Sequence, residues 1–175
     1  MGVNWIIDYH AGVSMKTLIV YDSAYGNTEK IARSIGDAIS GDVRVVRPDE
    51  VNPSDMESLD LFIVGSPTQG ARHTPAVQGF LDKIPAGALK NVRVTAFDTR
   101  YSTKSGGIGT RIIAAMASGF GFAAPRIDEI LKEKGGNLLV EPEGFIVNGT
   151  KGPLKDGEIE RAAVWATKVI DELKQ

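Results

Sequence analysis

The chain has 175 residues, 42% apolar and 24% charged, with a net charge of −2; that is enough for one domain with a sizeable core and too little for two comfortable ones. No Lys/Arg cluster offsets the slight negative charge, so nucleic-acid binding is not expected, and no apolar run approaches the roughly 18 residues of a membrane span. Cysteine is absent, which excludes disulfides, thiol catalysis and Cys-ligated metal sites and fits a cytoplasmic protein.

Residues 1–14 carry no Lys or Arg and only a short apolar patch, unlike a signal peptide, and are expected to be a peripheral N-terminal extension to a domain over 15–175. Thr17–Tyr21 is a buried-strand pattern. From Thr28 to Ser40, Ile31, Ile35, Ala38 and Ile39 fall on one helical face, with Asn27 or Thr28 as the expected cap and Gly41 after the end. Val43–Val46 is a second strand, and residues 48–59 are turn-rich. Leu61–Val64 is a third strand, expected to close at the breaker cluster Gly65-Ser66-Pro67.

Pro75 opens a helix to about Lys83. Val92–Phe97 is a fourth strand, followed by a glycine-rich loop, Ser105 to Gly109, and a helix through Ala117. Ile127–Lys134 is another helical piece. Leu138–Val140 and Phe145–Val147 read as two parts of one fifth strand, and a last helix runs from Gly157. Strands alternating with helices imply right-handed crossovers and a parallel sheet covered on both faces. The expected fold class is α/β, a three-layer sandwich with a five-stranded parallel sheet in the order 2-1-3-4-5.

In that topology ligands sit beyond the carboxyl ends of the strands where the order reverses, between strands 1 and 3. Three loops converge there: residues 22–28, 65–73 and 98–107. The first, within YDSAYGNTEK, hands a strand over to a helix with three hydroxyls, one amide side chain and a glycine. Unpaired N–H groups at a helix start favour an anion. The loop lacks the Gly-Lys-Ser/Thr of a Walker A loop and the G-x-G-x-x-G of dinucleotide folds. The same residue types suit a plain capped helix, so taken alone the loop leaves both readings open.

SAYGNTEKIA resembles the phosphate loop of flavodoxins, with Tyr25 where many members have Thr. Y-G-N-T is also similar to the flavodoxin modules of flavodiiron proteins. GSPTQG (65–70) resembles the second flavin loop of that family, and FDTRYSTKSGGIG (97–109) matches the third loosely. The resemblance covers roughly residues 15 to 174 and implies a flavodoxin-like fold with non-covalent FMN. By matching positions, Ser23, Ala24, Tyr25, Gly26, Asn27 and Thr28 would cradle the phosphate. Ser66, Pro67, Thr68, Gln69 and Gly70 would border one side of the ring and ribityl chain. Asp98, Thr99, Arg100 and Tyr101, with Gly106 and Gly107, would border the other. Gln69 occupies a neighbourhood where the family commonly stacks an aromatic, and Tyr101 is a replacement candidate.

Arg72, His73, Arg100 and Lys104 fall in loops expected to face the flavin, where cations would make it less reducing. They equally suit a solvated rim. The two histidines, His10 and His73, offer no metal pattern, and GSPTQG is not a hydrolase elbow. The resemblance implies electron transfer, with a redox partner protein or a small-molecule electron acceptor. Two other readings stay open: a small oxidoreductase acting on a quinone or porphyrinogen-type substrate, and a flavin-free interaction module.

Overall fold

A computed structural model describes residues 14–101 and 121–175. Residues 1–13 of the N-terminal extension, Lys104, Gly106 and Gly107, and the helix expected through Ala117 lie outside the described residues.

The elements run β1 (Lys16–Tyr21), α1 (Asn27–Ala38), β2 (Asp42–Val46), two 3₁₀ turns (Pro48–Glu50 and Pro53–Met56), β3 (Leu61–Pro67) and α2 (Pro75–Lys83). Then follow β4 (Arg93–Tyr101), α3 (Ala123–Glu133), β5 (Asn137–Leu138), β6 (Glu143–Val147) and α4 (Glu158–Leu173). The strands pair in parallel in the order β2-β1-β3-β4-β5, and β6 also pairs with β4. This is the expected α/β sandwich, with β5 and β6 as the two halves of the fifth strand. Val94 pairs with Leu138 and Phe97 with Glu143, so residues 139–142 bulge opposite Thr95 and Ala96. The Thr95 hydroxyl donates to the Val140 carbonyl (3.1 Å) and closes the bulge.

Alternation along each strand divides the core. Leu18, Val20, Phe62, Val64, Val94 and Ala96 face α2 and α3. Ile19, Tyr21, Leu61, Ile63 and Phe97 face α1 and α4. On the second face Phe97, Phe145 and Trp165 meet edge to face, with centroids 6.1–6.4 Å apart, the arrangement ring quadrupoles favour. Gly65 lies beneath this cluster, where a Cβ would fall 2.1 Å from the Phe97 ring.

Three expected boundaries move. β3 does not close at Gly65-Ser66-Pro67 but runs through it, paired with Phe97, Asp98 and Thr99. Gly65 makes room for a ring there, so it marks a close approach and not a break. β4 does not stop at Phe97: β6 supplies partners for Asp98 through Tyr101, so residues expected in a loop belong to a strand. α3 starts at Ala123, ahead of Ile127, because two other segments cap it. The Ala123 N–H donates to Thr68 Oγ1 (3.0 Å) and the Ala124 N–H to Asp98 Oδ2 (2.9 Å), satisfying amides a helix start leaves unpaired.

Candidate functional site

β1 ends at Tyr21, and the Asp22 N–H still donates to the Gly65 carbonyl (3.1 Å). The chain then turns through Gly26, whose φ of +82° precedes α1, a conformation glycine adopts without steric cost. Neither Asn27 nor Thr28 caps the helix. Thr28 Oγ1 instead meets Thr99 Oγ1 at 2.9 Å, and Asn27 Nδ2 donates to the Lys151 carbonyl at 3.0 Å. The first turn closes from Lys30 N–H to Gly26 O (3.1 Å), so the amides of Asn27, Thr28 and Glu29 precede it.

Arg47, just past β2, holds this loop from behind. Its Nη1 reaches Asp22 Oδ1 (3.2 Å), its Nη2 donates to the Ser23 carbonyl (3.3 Å), and the guanidinium lies 5.6 Å from the Tyr21 ring centroid. Burial, then the nearby Glu29 charge, push the Tyr21 phenol above its ordinary range.

The second loop is a tight turn. Gln69 and Arg72 exchange backbone bonds of 2.9 and 3.0 Å, with Gly70 and Ala71 at φ +55° and +62°, as in turns with two left-handed central residues. The Ser66 hydroxyl, fully buried, accepts from the Thr74 N–H (3.0 Å) and donates to the Pro67 carbonyl (3.0 Å). It braces the loop from inside.

These loops and the end of β4 enclose a cleft of about 260 Å³, as bounded by the described residues. Ser23, Ala24, Tyr25, Asn27 and Thr28 line one end; Pro67, Thr68, Gln69, Gly70, Thr99, Arg100 and Tyr101 line the rest. Gly26, Ser66 and Asp98 are not in the lining: the glycine turns the backbone, and the other two are buried beneath the wall. Asp98 accepts from Arg100 Nη2 (2.8 Å) and from the Ala124 N–H. Burial pushes its carboxyl above the ordinary range, against the opposing pull of Arg100.

Val147 and Thr150, from the end of β6 and the turn after it, complete the wall without belonging to any of the three flavin-loop motifs. The signal available was Asn148-Gly149-Thr150-Lys151-Gly152, a turn composition directly after a strand.

The cations separate. Arg72 and His73 line a different cavity, with Pro75, Gln78, Arg126, Glu129 and Ile130. His73 Nε2 bonds Gln78 Oε1 at 2.6 Å. Arg100 does reach the cleft, but it is ion-paired with Asp98 and lies 3.7 Å from the Phe122 ring centroid. Of the two places open to them in the sequence, Arg72 and His73 therefore do not take the one facing the cleft, because the 69–72 turn carries them past its wall. Among the described residues no group of three His, Cys, Asp or Glu is arranged to hold a metal ion, and no helix is long and apolar enough to cross a membrane.

One atom tests what the cleft accepts. Ser23 is 7% exposed, and its Oγ is buried without a hydrogen-bond partner among the described residues. A buried orphan hydroxyl costs free energy unless a ligand satisfies it. Ser23 lines the same cleft as Asn27 and Thr28 of the first turn of α1, so the residues fit an anionic oxygen group.

The family model for flavodoxin matches residues 19–165. The chain belongs to the flavodoxin family. An uncharacterized protein of Methanocaldococcus jannaschii is 41% identical over 71 residues, 40% of this chain and 46% of that protein, so the match spans less than half of the relative's length. The flavodoxin-like domain-containing protein BilS of Clostridioides difficile is 28% identical over 147 residues, 81% of this chain and 73% of that one. Among solved structures, oxidised flavodoxin 2 of Bacillus cereus superposes with a TM-score of 0.68 at 22% identity, covering 90% of this chain and 99% of that one; this likeness concerns the fold. Membership in the flavodoxin family points to a flavin as the group for the cleft.

Proposed function

We propose that the protein binds FMN in this cleft and acts in electron transfer, passing electrons to or from a redox partner protein or a small-molecule acceptor. The observation that carries the reading is the Ser23 hydroxyl, unpartnered among the described residues, in the cleft that the first turn of α1 also lines; the arrangement suits the phosphate of a mononucleotide at the switch point of the sheet. When bound, the flavin supplies the redox chemistry, and the protein supplies placement and electrostatics.

This chain's residues divide that work. Ser23 and the amides from Tyr25 to Thr28 would hold the phosphate. The Thr28–Thr99 hydroxyl pair ties the phosphate loop to the end of β4, so that the two sides of the cleft keep their spacing. Thr68 caps α3 while lining the cleft. Gln69 and Tyr101, which line the cleft, would border the flavin ring, and Tyr101 would supply an aromatic surface where Gln69 does not. The Asp98–Arg100 pair brings a guanidinium to the wall with its charge largely balanced.

The test is a titration of the flavin-free protein followed by flavin fluorescence and visible absorbance. FMN is expected to bind with a perturbed spectrum, and riboflavin, which lacks the phosphate, to bind at least about tenfold more weakly, as loss of hydrogen bonds to a charged group requires. A protein that ignores FMN, or that binds both flavins equally, contradicts the reading.

A further inference from the structure

The phosphate loop contains no Lys or Arg in its first six residues, Ser23–Thr28, yet the fold brings a cation to it from more than a hundred residues away. After β6 the chain forms a short antiparallel hairpin. The Lys155 N–H donates to Ile146 O (2.8 Å), the Asn148 N–H to Pro153 O (2.9 Å), and the Gly152 N–H to Gly149 O (3.1 Å). Thr150 and Lys151 are the central residues of that closing turn.

The tip is attached to the phosphate loop through Lys151 itself. Its carbonyl accepts the Asn27 side-chain N–H at 3.0 Å, and its Nζ stands 5.8 Å from the ring centroid of Tyr25, within cation–π reach. The next residue has to be glycine. Gly152 has φ +99°, and a Cβ there would fall 2.5 Å from Asn27 Nδ2. The approach of the two loops is thus specified by residue choice on both sides. Thr150, Tyr25 and Asn27 all line the cleft, so the lysine side chain leaves the backbone at its rim.

We propose that Lys151 is a phosphate-recognition residue, delivered from a distant part of the chain by the β6–α4 hairpin, which makes this site selective for a phosphate monoester dianion over the uncharged form of the same ligand. The inference rests on the flavin reading above. The Asn27 side chain then acts mainly as the tether that places Lys151. The ammonium is exposed, so its attraction for a dianion is screened by salt within a Debye length of about 8–10 Å.

The experiment compares FMN and riboflavin affinities of wild type, Lys151→Gln and Lys151→Arg at low and at physiological salt, with melting temperatures as a check on folding. Lys151→Gln is expected to weaken FMN binding by about three- to tenfold at low salt, the range of one exposed charge acting on a dianion. Riboflavin affinity is expected to stay unchanged, the salt dependence to shrink, and Lys151→Arg to retain most of the FMN affinity. Wild-type FMN affinity in Lys151→Gln overturns the proposal, as does an equal loss for both flavins, which would indicate packing. A wild-type protein that binds neither flavin overturns the flavin reading and this inference with it. One that binds FMN with no effect of residue 151 leaves that reading standing and removes Lys151 alone.

Discussion

Ser23 and Thr28 sit five residues apart and carry the same functional group in opposite circumstances. Thr28 Oγ1 has the Thr99 hydroxyl as partner, while Ser23 Oγ has none among the described residues. Removing an unsatisfied buried hydroxyl relieves a desolvation cost, and removing a satisfied one loses a bond. Ser23→Ala is therefore expected to leave the flavin-free protein as stable as wild type or slightly more so. Its FMN affinity should fall by about tenfold, the usual worth of a hydrogen bond to a charged group. Thermal melts and titrations of the same preparation measure both. A destabilised flavin-free variant with unchanged affinity would show that the hydroxyl serves the fold. Asn27 shows what the sequence hid at this scale: its position suits a cap, but a glycine in left-handed conformation already starts the helix, which releases the amide for a partner 124 residues away.

The element that sets the reach of the hairpin is α4. Glu158 in its first turn accepts from the Ile146 N–H (2.7 Å) and from Arg161 Nη2 (2.6 Å), and Arg161 also pairs with Glu143 (3.0 Å) and covers the Phe145 ring. The start of α4 is thereby fastened to β6, at the base of the turn that carries Lys151. Burial pushes the Glu158 carboxyl up, but the Arg161 guanidinium and the Ile146 N–H outweigh it and hold it below its ordinary value. With the folded value depressed, the unfolded chain takes up the proton first. The stabilisation is fully present above the ordinary carboxylate value of about 4.3 and is lost as pH falls through the folded value. Glu158→Gln is expected to cost about 1–3 kcal/mol near neutrality, with the gap to wild type narrowing in acid. Denaturation curves across that range check this; a gap independent of pH would assign the cost to shape and not to charge.

At the scale of the whole molecule, order and layering were readable because both faces of the sheet are covered. Apolar runs such as Leu61–Val64 can only be central strands, and short helices between strands leave one crossover hand. Strand ends were not readable. The extension of β4 through Asp98–Tyr101 depends on β3 and β6 lying alongside, with Arg100 and Tyr101 paired through β6, and the start of α3 depends on Thr68 and Asp98 from distant segments. The site followed the same rule. Its first two loops are local motifs, whereas Val147 and Thr150 line the cleft, and Lys151 meets Asn27 and Tyr25, only through tertiary placement. Arg72 and His73 fall in a loop that faces the cleft in sequence order, where a flavin-facing or a solvated place both fit, and a tight turn at Gly70-Ala71 takes them to another cavity.

The central claim is that the start of α1 is a phosphate site for a flavin mononucleotide, and a crystal structure of the protein with FMN tests it most directly. The expected result places a phosphate oxygen within hydrogen-bond distance of Ser23 Oγ and the amides following Gly26, with the ring between the Gln69 turn and Tyr101. A phosphate bound elsewhere, with Ser23 Oγ still unpartnered, would contradict the account.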